Sequence, residues 1–394
     1  MKRLCIIGAG PAGMMAAISA KIHHSHMEVI LLDGNDTIGK KLRLTGGGRC
    51  NVTADVSNEE VIQSVVKNGK FLYSSLTEWN PKSIQDFFIQ AGCPLKIEDH
   101  HRVFPRSNKA EDIISILKNK IVESDIKLYL NTKILDIDLK KSILISEDNQ
   151  IKYDYLILAT GGYSYRETGS DGSGYQLVTK LGHTVTELLP AEVPLVSNDT
   201  FIEEKVLQGL SFQEIELSIY QKGKVKKKLN HDLIFTHFGI SGPVALQASY
   251  FVQKVLEKES PVNLTIDFLP KISRMELEEY IKENSLEAIA KQYNLPKRLL
   301  EYVKEKSSSK EDYLQYLKKF PMTVYTTRGF SNAFVTNGGI HIKEVDPKTM
   351  HSKLIANVSF CGELLDMNAY TGGYNITIAF VTGYVAGKYI SDNN

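Results

Sequence analysis

Residues 3 to 33 constrain the fold more than any other stretch. Arg3-Leu-Cys-Ile-Ile7 reads as a short buried strand, Pro11 to about Lys21 as a helix rich in Ala and Met, and Glu28-Val-Ile-Leu-Leu-Asp33 as a second strand. The turn after the first strand is Gly8-Ala9-Gly10-Pro11-Ala12-Gly13, a G-x-G-x-x-G pattern. Gly8 permits the tight turn, Gly10 lets a pyrophosphate approach the backbone, and Gly13 lets the helix pack close to the sheet. The helix start then offers free N–H groups and the positive end of its dipole to phosphates. Asp33 falls 20 residues after Gly13, at the end of the second strand, where a carboxylate can accept a ribose hydroxyl. A lone glycine pattern is weak, but the strand, helix and acid together read as a dinucleotide-binding β-α-β unit.

A second dinucleotide motif would indicate a separate nicotinamide domain, and none is found. Gly169-Ser-Asp-Gly-Ser-Gly174 is glycine-rich but has no apolar strand immediately before it. Tyr155-Leu-Ile-Leu-Ala159-Thr160-Gly161-Gly162 is instead a strand ending in a small-residue turn, resembling the second FAD contact of two-dinucleotide-type flavoproteins. FAD is therefore the expected cofactor, with NAD(P)H at most a transient electron donor.

Gly39-Lys-Lys41-Leu-Arg43-Leu-Thr-Gly46-Gly47-Gly48-Arg49-Cys50-Asn51-Val-Thr53 reads as a loop, and it is the least ordinary segment. Three consecutive glycines permit close approach to a planar ligand, and Lys41, Arg43 and Arg49 could neutralise a diphosphate. The bland alternative is a flexible linker, which needs no such mixture of cations and β-branched residues. Cys50 reads first as a small packed thiol and second as a flavin neighbour.

With these residues in view, the chain resembles the aminoacetone-oxidase-like FAD-binding oxidoreductases, the YhiN/BaiN group. The resemblance continues through Val103-Phe-Pro105, Thr168-Gly-Ser170, Leu181-Gly-His183 and His237-Phe-Gly-Ile-Ser-Gly-Pro243. Further on it takes in Thr336-Asn-Gly338-Gly339, Gly362-Glu363-Leu-Leu-Asp366 and Thr371-Gly372-Gly373-Tyr374-Asn375. It implies an FAD domain, a barrel-like insert and a small helical subdomain. Arg166 and Ser173 depart from the pattern, which expects a proline and an acidic residue there.

The expected architecture is α/β: a Rossmann-type FAD-binding domain (1–190 and 332–394) interrupted by a β-rich insert (191–271 and 320–331) carrying helices (272–319). A strand at Val358–Cys361 delivers Gly362 and Glu363, placed like the acidic contact flavoproteins make with the FAD linker. Thr371–Asn375 and Ile376 open a helix whose N–H groups can meet the flavin's pyrimidine edge. His237 and Tyr374 are the acid–base candidates. Ser241-Gly-Pro243 reads as a helix start, not a nucleophile. His23, His24 and His26 lack the spacing of a metal site, and none is expected.

Composition limits the remaining classes. Lys and Arg number 47 against 46 Asp and Glu, so the formal charge is +1. Such a balance does not ask for nucleic acid or an anionic membrane, and the Lys222–Lys228 run reads as a solvated hairpin. The four cysteines form no C-x-x-C pair, which suits a cytoplasmic protein. The apolar run Leu4–Ile7 breaks too early for a secretion signal, and no stretch is long enough to span a membrane. The expected function is FAD-dependent oxidoreduction of a small organic substrate, either amine oxidation with oxygen or NAD(P)H-linked reduction. A flavoprotein that binds or modifies RNA is the alternative from another class.

Overall fold

The computed structural model describes residues 1–390, which divide into two compact units, Met1–Pro190 with Val335 onward, and Ala191–Phe334. The first is built on a five-stranded sheet in the order Val358–Phe360, Tyr155–Leu158, Arg3–Ile7, Glu28–Leu32, Lys127–Tyr129, with every neighbouring pair parallel. Its inner strands are continuous apolar runs, as a sheet covered on both faces requires. Parallel neighbours need crossovers, and the helix Pro11–His23 supplies the first.

That helix packs along the C-terminal helix Tyr374–Lys388. A methyl group at Gly383 would sit 2.2 Å from Ala12 O, and one at Gly387 would sit 2.1 Å from Ala16 O. Four-residue spacing puts both glycines on one face, so the two backbones approach where side chains would hold them apart.

Between residues 39 and 50 the expected loop is partly helical. Lys40–Gly48 begins as a helix, which the helix formers Lys40 to Leu44 favour, and breaks at Thr45, whose ψ is 149°. Gly46, Gly47 and Gly48 follow with φ of 58°, 67° and 84°, a left-handed run that residues with a Cβ rarely adopt. The glycines therefore terminate a helix and do not form a linker.

The second unit holds a seven-stranded antiparallel sheet. Its longest members, Ser211–Gln221 and Lys224–Phe235, form a hairpin at the middle of the order. Val262–Asp267 and Phe320–Val324 extend it on one side, and the helix Pro243–Leu256 packs against the hairpin. Helices between 274 and 318 start on Ser273, Ser285 and Ser309, each of whose hydroxyls accepts an N–H from the first turn. Leu277, Ile289, Leu299, Val303, Leu314 and Leu317 from those helices share one apolar core with Phe235, Leu264 and Phe320 of the sheet.

Candidate functional site

The first turn separates two kinds of glycine. Gly8 has φ of 105° and a methyl there would meet Ala159 O at 2.4 Å; at Gly13 it would meet Gly8 O at 1.8 Å. Both are demanded by the protein's own backbone. Gly10 faces open space, so its lack of a side chain leaves room for something the chain does not itself supply. Among the described residues, the N–H groups of Ala12 and Gly13 find no acceptor.

Asp33 is held firmly. Its Oδ2 accepts the Ala9 N–H at 2.6 Å, and its Oδ1 accepts the backbone and side-chain N–H groups of Asn35, both at 2.8 Å. Three bonds to a carboxylate with about four acceptor positions leave roughly one for a ligand hydroxyl. Asn35 also donates to Thr168 O at 3.0 Å, tying this carboxylate to the loop after the second glycine motif.

None of the three cations read as a diphosphate clamp is left free. Arg43 pairs with Glu111 at 2.9 Å, and Arg49 pairs with Glu98 at 3.0 Å while stacking 4.0 Å from the centre of the Phe104 ring. Lys41 donates to Glu363 Oε2 at 2.7 Å and to Ser164 Oγ at 2.9 Å. A cation within reach of a carboxylate pairs with it, and these partners lie too far along the chain to be seen in sequence. Glu363 gathers further donors: the N–H groups of Gly162 at 3.3 Å and Thr336 at 3.0 Å, and Ser164 Oγ at 3.3 Å. It thus joins four segments, and Ser164 and Thr336 enter the site through it. Thr336 begins one of the segments that carry the resemblance, whereas nothing in the sequence pattern marks Ser164.

Cys50 is fully buried with φ of 60°, and burial pushes its thiol up to about 12, against a weaker pull from the Thr45 hydroxyl. It is a neutral packed thiol. Asn51, beside it, is 7% exposed, and its Oδ1 is buried without a partner. That oxygen lies 2.9 Å from where a methyl on Gly373 would stand. Gly373 is the residue before the C-terminal helix, with φ of 96°, and Gly372 has φ of 127°. The N–H groups of Tyr374, Asn375 and Ile376 find no acceptor among the described residues. An unsatisfied acceptor therefore stands next to unsatisfied donors.

The second glycine motif adds further orphans. Thr160 Oγ1 and Ser170 Oγ are buried and unpartnered, Ser170 beside Gly161 and Thr160 beside Gly174. Ala159 is buried, Gly161 has φ of 76°, and Gly162 packs on Thr336 and Glu363. Gly338 has φ of 100° and packs against Glu187 O, and Gly362 has φ of 72° and donates to Thr382 Oγ1 at 2.9 Å. Asn375 is a latch, its amide accepting the Ala369 N–H at 2.8 Å and donating to Ala369 O at 2.7 Å. Tyr374 is half-buried, and burial raises its phenol, so it remains a proton donor at neutral pH. Pro11 occupies the first helical position, and Ile376 is half-exposed in the first turn of its own helix.

His237 lies in the other unit, exposed, in the turn between Lys224–Phe235 and Gly239–Ser241. His183 sits between Glu344 (3.1 Å from Nδ1) and Ser352 (2.8 Å from Nε2), which looks like a hydrolytic triad. Ser352 Oγ, however, already accepts from Leu354 and Ile355 N–H groups and is buried, so the trio is a clamp. His23 and His24 bond Tyr384 Oη and Lys388 O of the C-terminal helix. At the two departures, Arg166 stacks 3.7 Å over Tyr163, and Asp171 takes up both the hydroxyl and N–H of Ser173.

Open space at Gly10, two helix starts with unused N–H groups and three orphaned polar atoms fit an extended dinucleotide whose far end is a planar ring. A family model described as HI0933-like protein Rossmann domain matches residues 2–389. The chain belongs to that family. It is an FAD-dependent oxidoreductase. Among curated proteins, the 3-dehydro-bile acid delta(4,6)-reductase of Clostridium scindens is 28% identical, covering 98% of each chain. The ribosomal RNA dihydrouridine synthase of Haemophilus influenzae is also 28% identical over 98% of each chain, and that of Escherichia coli is 25% identical over 97% of this chain and 96% of its own. Among solved structures, the 3-ketosteroid delta1-dehydrogenase of Sterolibacterium denitrificans shares the fold, with a TM-score of 0.54 at 12% identity and 99% coverage of both chains. No helix among the described residues is long and apolar enough to cross a membrane.

Proposed function

We propose that this HI0933-like protein reduces a carbon–carbon double bond conjugated to a carbonyl, with NAD(P)H as transient electron donor. The observation that carries the reading is the pairing of the Asn51 carbonyl with the unused N–H groups at the start of the Tyr374–Lys388 helix. An acceptor beside a row of donors complements an imide edge, N–H flanked by C=O, which is the pyrimidine edge of a flavin. When bound, FAD supplies the hydride. The helix start favours negative charge at that edge by about 0.3–2 kcal/mol and so stabilises the electron-rich state that donates. In this reading Asp33 and Gly10 would hold the adenosine end, and Tyr374, whose phenol burial keeps protonated, would be the proton donor.

The curated relatives support reduction over amine oxidation. A delta(4,6)-reductase of a 3-dehydro-bile acid and a dihydrouridine synthase both saturate a double bond conjugated to a carbonyl, one in a steroid, the other in a pyrimidine. Hydride adds to the carbon remote from the carbonyl and a proton to the carbon next to it, so one mechanism serves both.

The test is anaerobic. The purified protein releases FAD on denaturation, is bleached by NADH or NADPH, and is reoxidised by a 4-en-3-one steroid or by uridine in ribosomal RNA. Bleaching by amines, with no response to either unsaturated acceptor, would overturn reduction in favour of amine oxidation. An Asn51→Leu variant that keeps its FAD shifts the flavin midpoint potential; an unchanged potential removes Asn51 from the ring's edge.

A further inference from the structure

The long hairpin of the antiparallel sheet is irregular at one place, and the irregularity gathers metal-ligating groups. Register pairs Phe212 with Leu233 and Ile215 with His231, so Gln213 and Glu214 together oppose Asp232 alone. That is a β-bulge, one residue more on one strand than on its partner, and Glu214 takes it up with φ of 53°. In regular strands neighbouring side chains leave on opposite faces, which would keep groups from 231 and 232 apart. Here a ligand atom from each of Glu214, His231 and Asp232 lies within 4.8 Å of the other two.

The backbone orients these groups. Asp232 Oδ1 accepts the Glu214 N–H at 3.0 Å, which ties the carboxylate to the bulge itself. His231 Nδ1 accepts the Asp232 N–H at 2.8 Å and stands 4.0 Å from Asp232 Oδ1. That nitrogen therefore carries no proton, which is the form a metal ion binds. All three residues are half-buried, the His231 side chain 14% exposed and that of Asp232 36%, so an ion can enter from water and meet partly desolvated donors. Nitrogen and oxygen ligands about 2.0–2.2 Å from one ion stand roughly 3–3.5 Å from each other, so side-chain rotation by about an ångström closes this set.

We infer that Glu214, His231 and Asp232 bind a divalent transition-metal ion, zinc in type, which pins the two longest strands of the insert together across the bulge. Carboxylates alone suit hard ions such as Mg²⁺ or Ca²⁺, whereas an imidazole among them shifts the preference to first-row transition ions. Two carboxylates also match the charge of a divalent cation. Three protein ligands leave at least one coordination position to water or to an oxygen of a bound molecule. The site stands whether or not the flavin reaction is a reduction. Its ligands come from two strands and meet only through the bulge, so no ligand spacing announces them in the sequence.

The experiment uses the full-length, FAD-loaded protein, stripped of metal with a chelator and titrated with Zn²⁺ alone by calorimetry, with equilibrium dialysis giving the stoichiometry. The wild type binds one Zn²⁺ per chain with micromolar or tighter affinity, and Mg²⁺ at the same concentrations gives no saturable binding. H231Q and D232N each weaken Zn²⁺ by at least about 100-fold, beyond the roughly 10–100-fold typical of losing an outer hydrogen-bonding partner of a ligand. D232N keeps an oxygen for the Glu214 N–H, so the bulge survives in it. H26Q, which alters an exposed histidine of the other unit, binds like wild type. Zn²⁺ raises the melting temperature of the wild type with concentration and leaves that of H231Q unmoved. A wild type without saturable Zn²⁺ binding overturns the inference. So does binding that persists equally in H231Q and D232N, which puts the ion elsewhere. Mg²⁺ binding as tight as Zn²⁺ means simple attraction to carboxylates and overturns it too. If both variants melt lower without metal yet gain as much from Zn²⁺ as wild type, the trio is a hydrogen-bonded clamp and not a metal site.

Discussion

The two units use their residues in opposite ways. In the unit built on the parallel sheet, the candidate site is mostly backbone: glycines whose missing side chains make room, N–H groups at two helix starts, and a few short polar side chains held by one another. In the insert, the lysines at 222, 224, 226 and 228 are long side chains exposed at the end of an antiparallel hairpin, where water is the alternative partner. Backbone cannot move aside, so a substitution in the first unit meets hard atoms. A lysine on the hairpin can be changed with little consequence for the fold. The two apolar cores are likewise distinct, one for each unit.

This contrast can be broken most directly by removing the insert. With 191–334 replaced by a short flexible linker, the remaining unit keeps its own core and should retain measurable FAD affinity while losing turnover altogether. A folded deletion protein with full activity would place the substrate-handling groups in the first unit alone.

Next in size is the difference between two glycines three residues apart. Gly13→Ala puts a methyl 1.8 Å from a backbone oxygen and should cost about 3–5 kcal/mol, or prevent folding. Gly10→Ala meets open space, so the melting of the FAD-free protein should move by no more than about 0.5 kcal/mol while FAD affinity falls. Equal thermal destabilisation by both changes would show that Gly10 serves packing and not a ligand.

Asp33→Ala comes third. Loss of a charge-assisted bond to a ribose hydroxyl weakens FAD by roughly 10–150-fold, about 1.5–3 kcal/mol. Because Asp33 also fixes Ala9 and Asn35, calorimetry of the apoprotein should reveal a smaller loss of stability as well. An unchanged Kd would restrict Asp33 to that structural duty.

The smallest effect is one of pH. Burial lowers the His183 pKa below its usual 6.5, only partly offset by Glu344, so the unfolded chain takes up the proton first. His183 is therefore neutral in the fold at neutral pH, and the stability tied to it is lost as pH falls below 6.5 toward its folded value. Glu344, held below its usual value against burial by the Thr184 N–H and hydroxyl and by His183, adds its own loss only at lower pH. Urea titrations at pH 7.5 and 5.5 should show a drop for wild type that His183→Gln lacks. The same drop in both proteins would assign it to another group.

Much of the first unit could be read directly. The strand Arg3–Ile7, the helix opening at Pro11 and the strand from Glu28 emerge because local apolar runs and turn residues set them, and the glycine pattern reports a local backbone need. The polar Lys222–Lys228 run likewise marks the hairpin that joins Ser211–Gln221 to Lys224–Phe235. Three features were hidden. Lys41 reads as a free cation because its partner, Glu363, is 322 positions away. Gly383 and Gly387 read as ordinary small residues of an apolar helix until Ala12 and Ala16 are brought against them. The Gly46–Gly48 run reads as a loop that lets a planar ligand approach, whereas its left-handed geometry ends a helix just before Arg49 stacks on Phe104.

The sequence by itself determined the elements, the dinucleotide-binding turn and the kinds of residue available for chemistry, since these follow from interactions over a few positions. Tertiary structure alone decided which charges cancel, which glycines serve packing, and which polar atoms are left wanting a partner. Those outcomes depend on distances between residues far apart in the chain. A hydrogen bond or ion pair changes from favourable to absent over about an ångström, a scale on which sequence carries no coordinate.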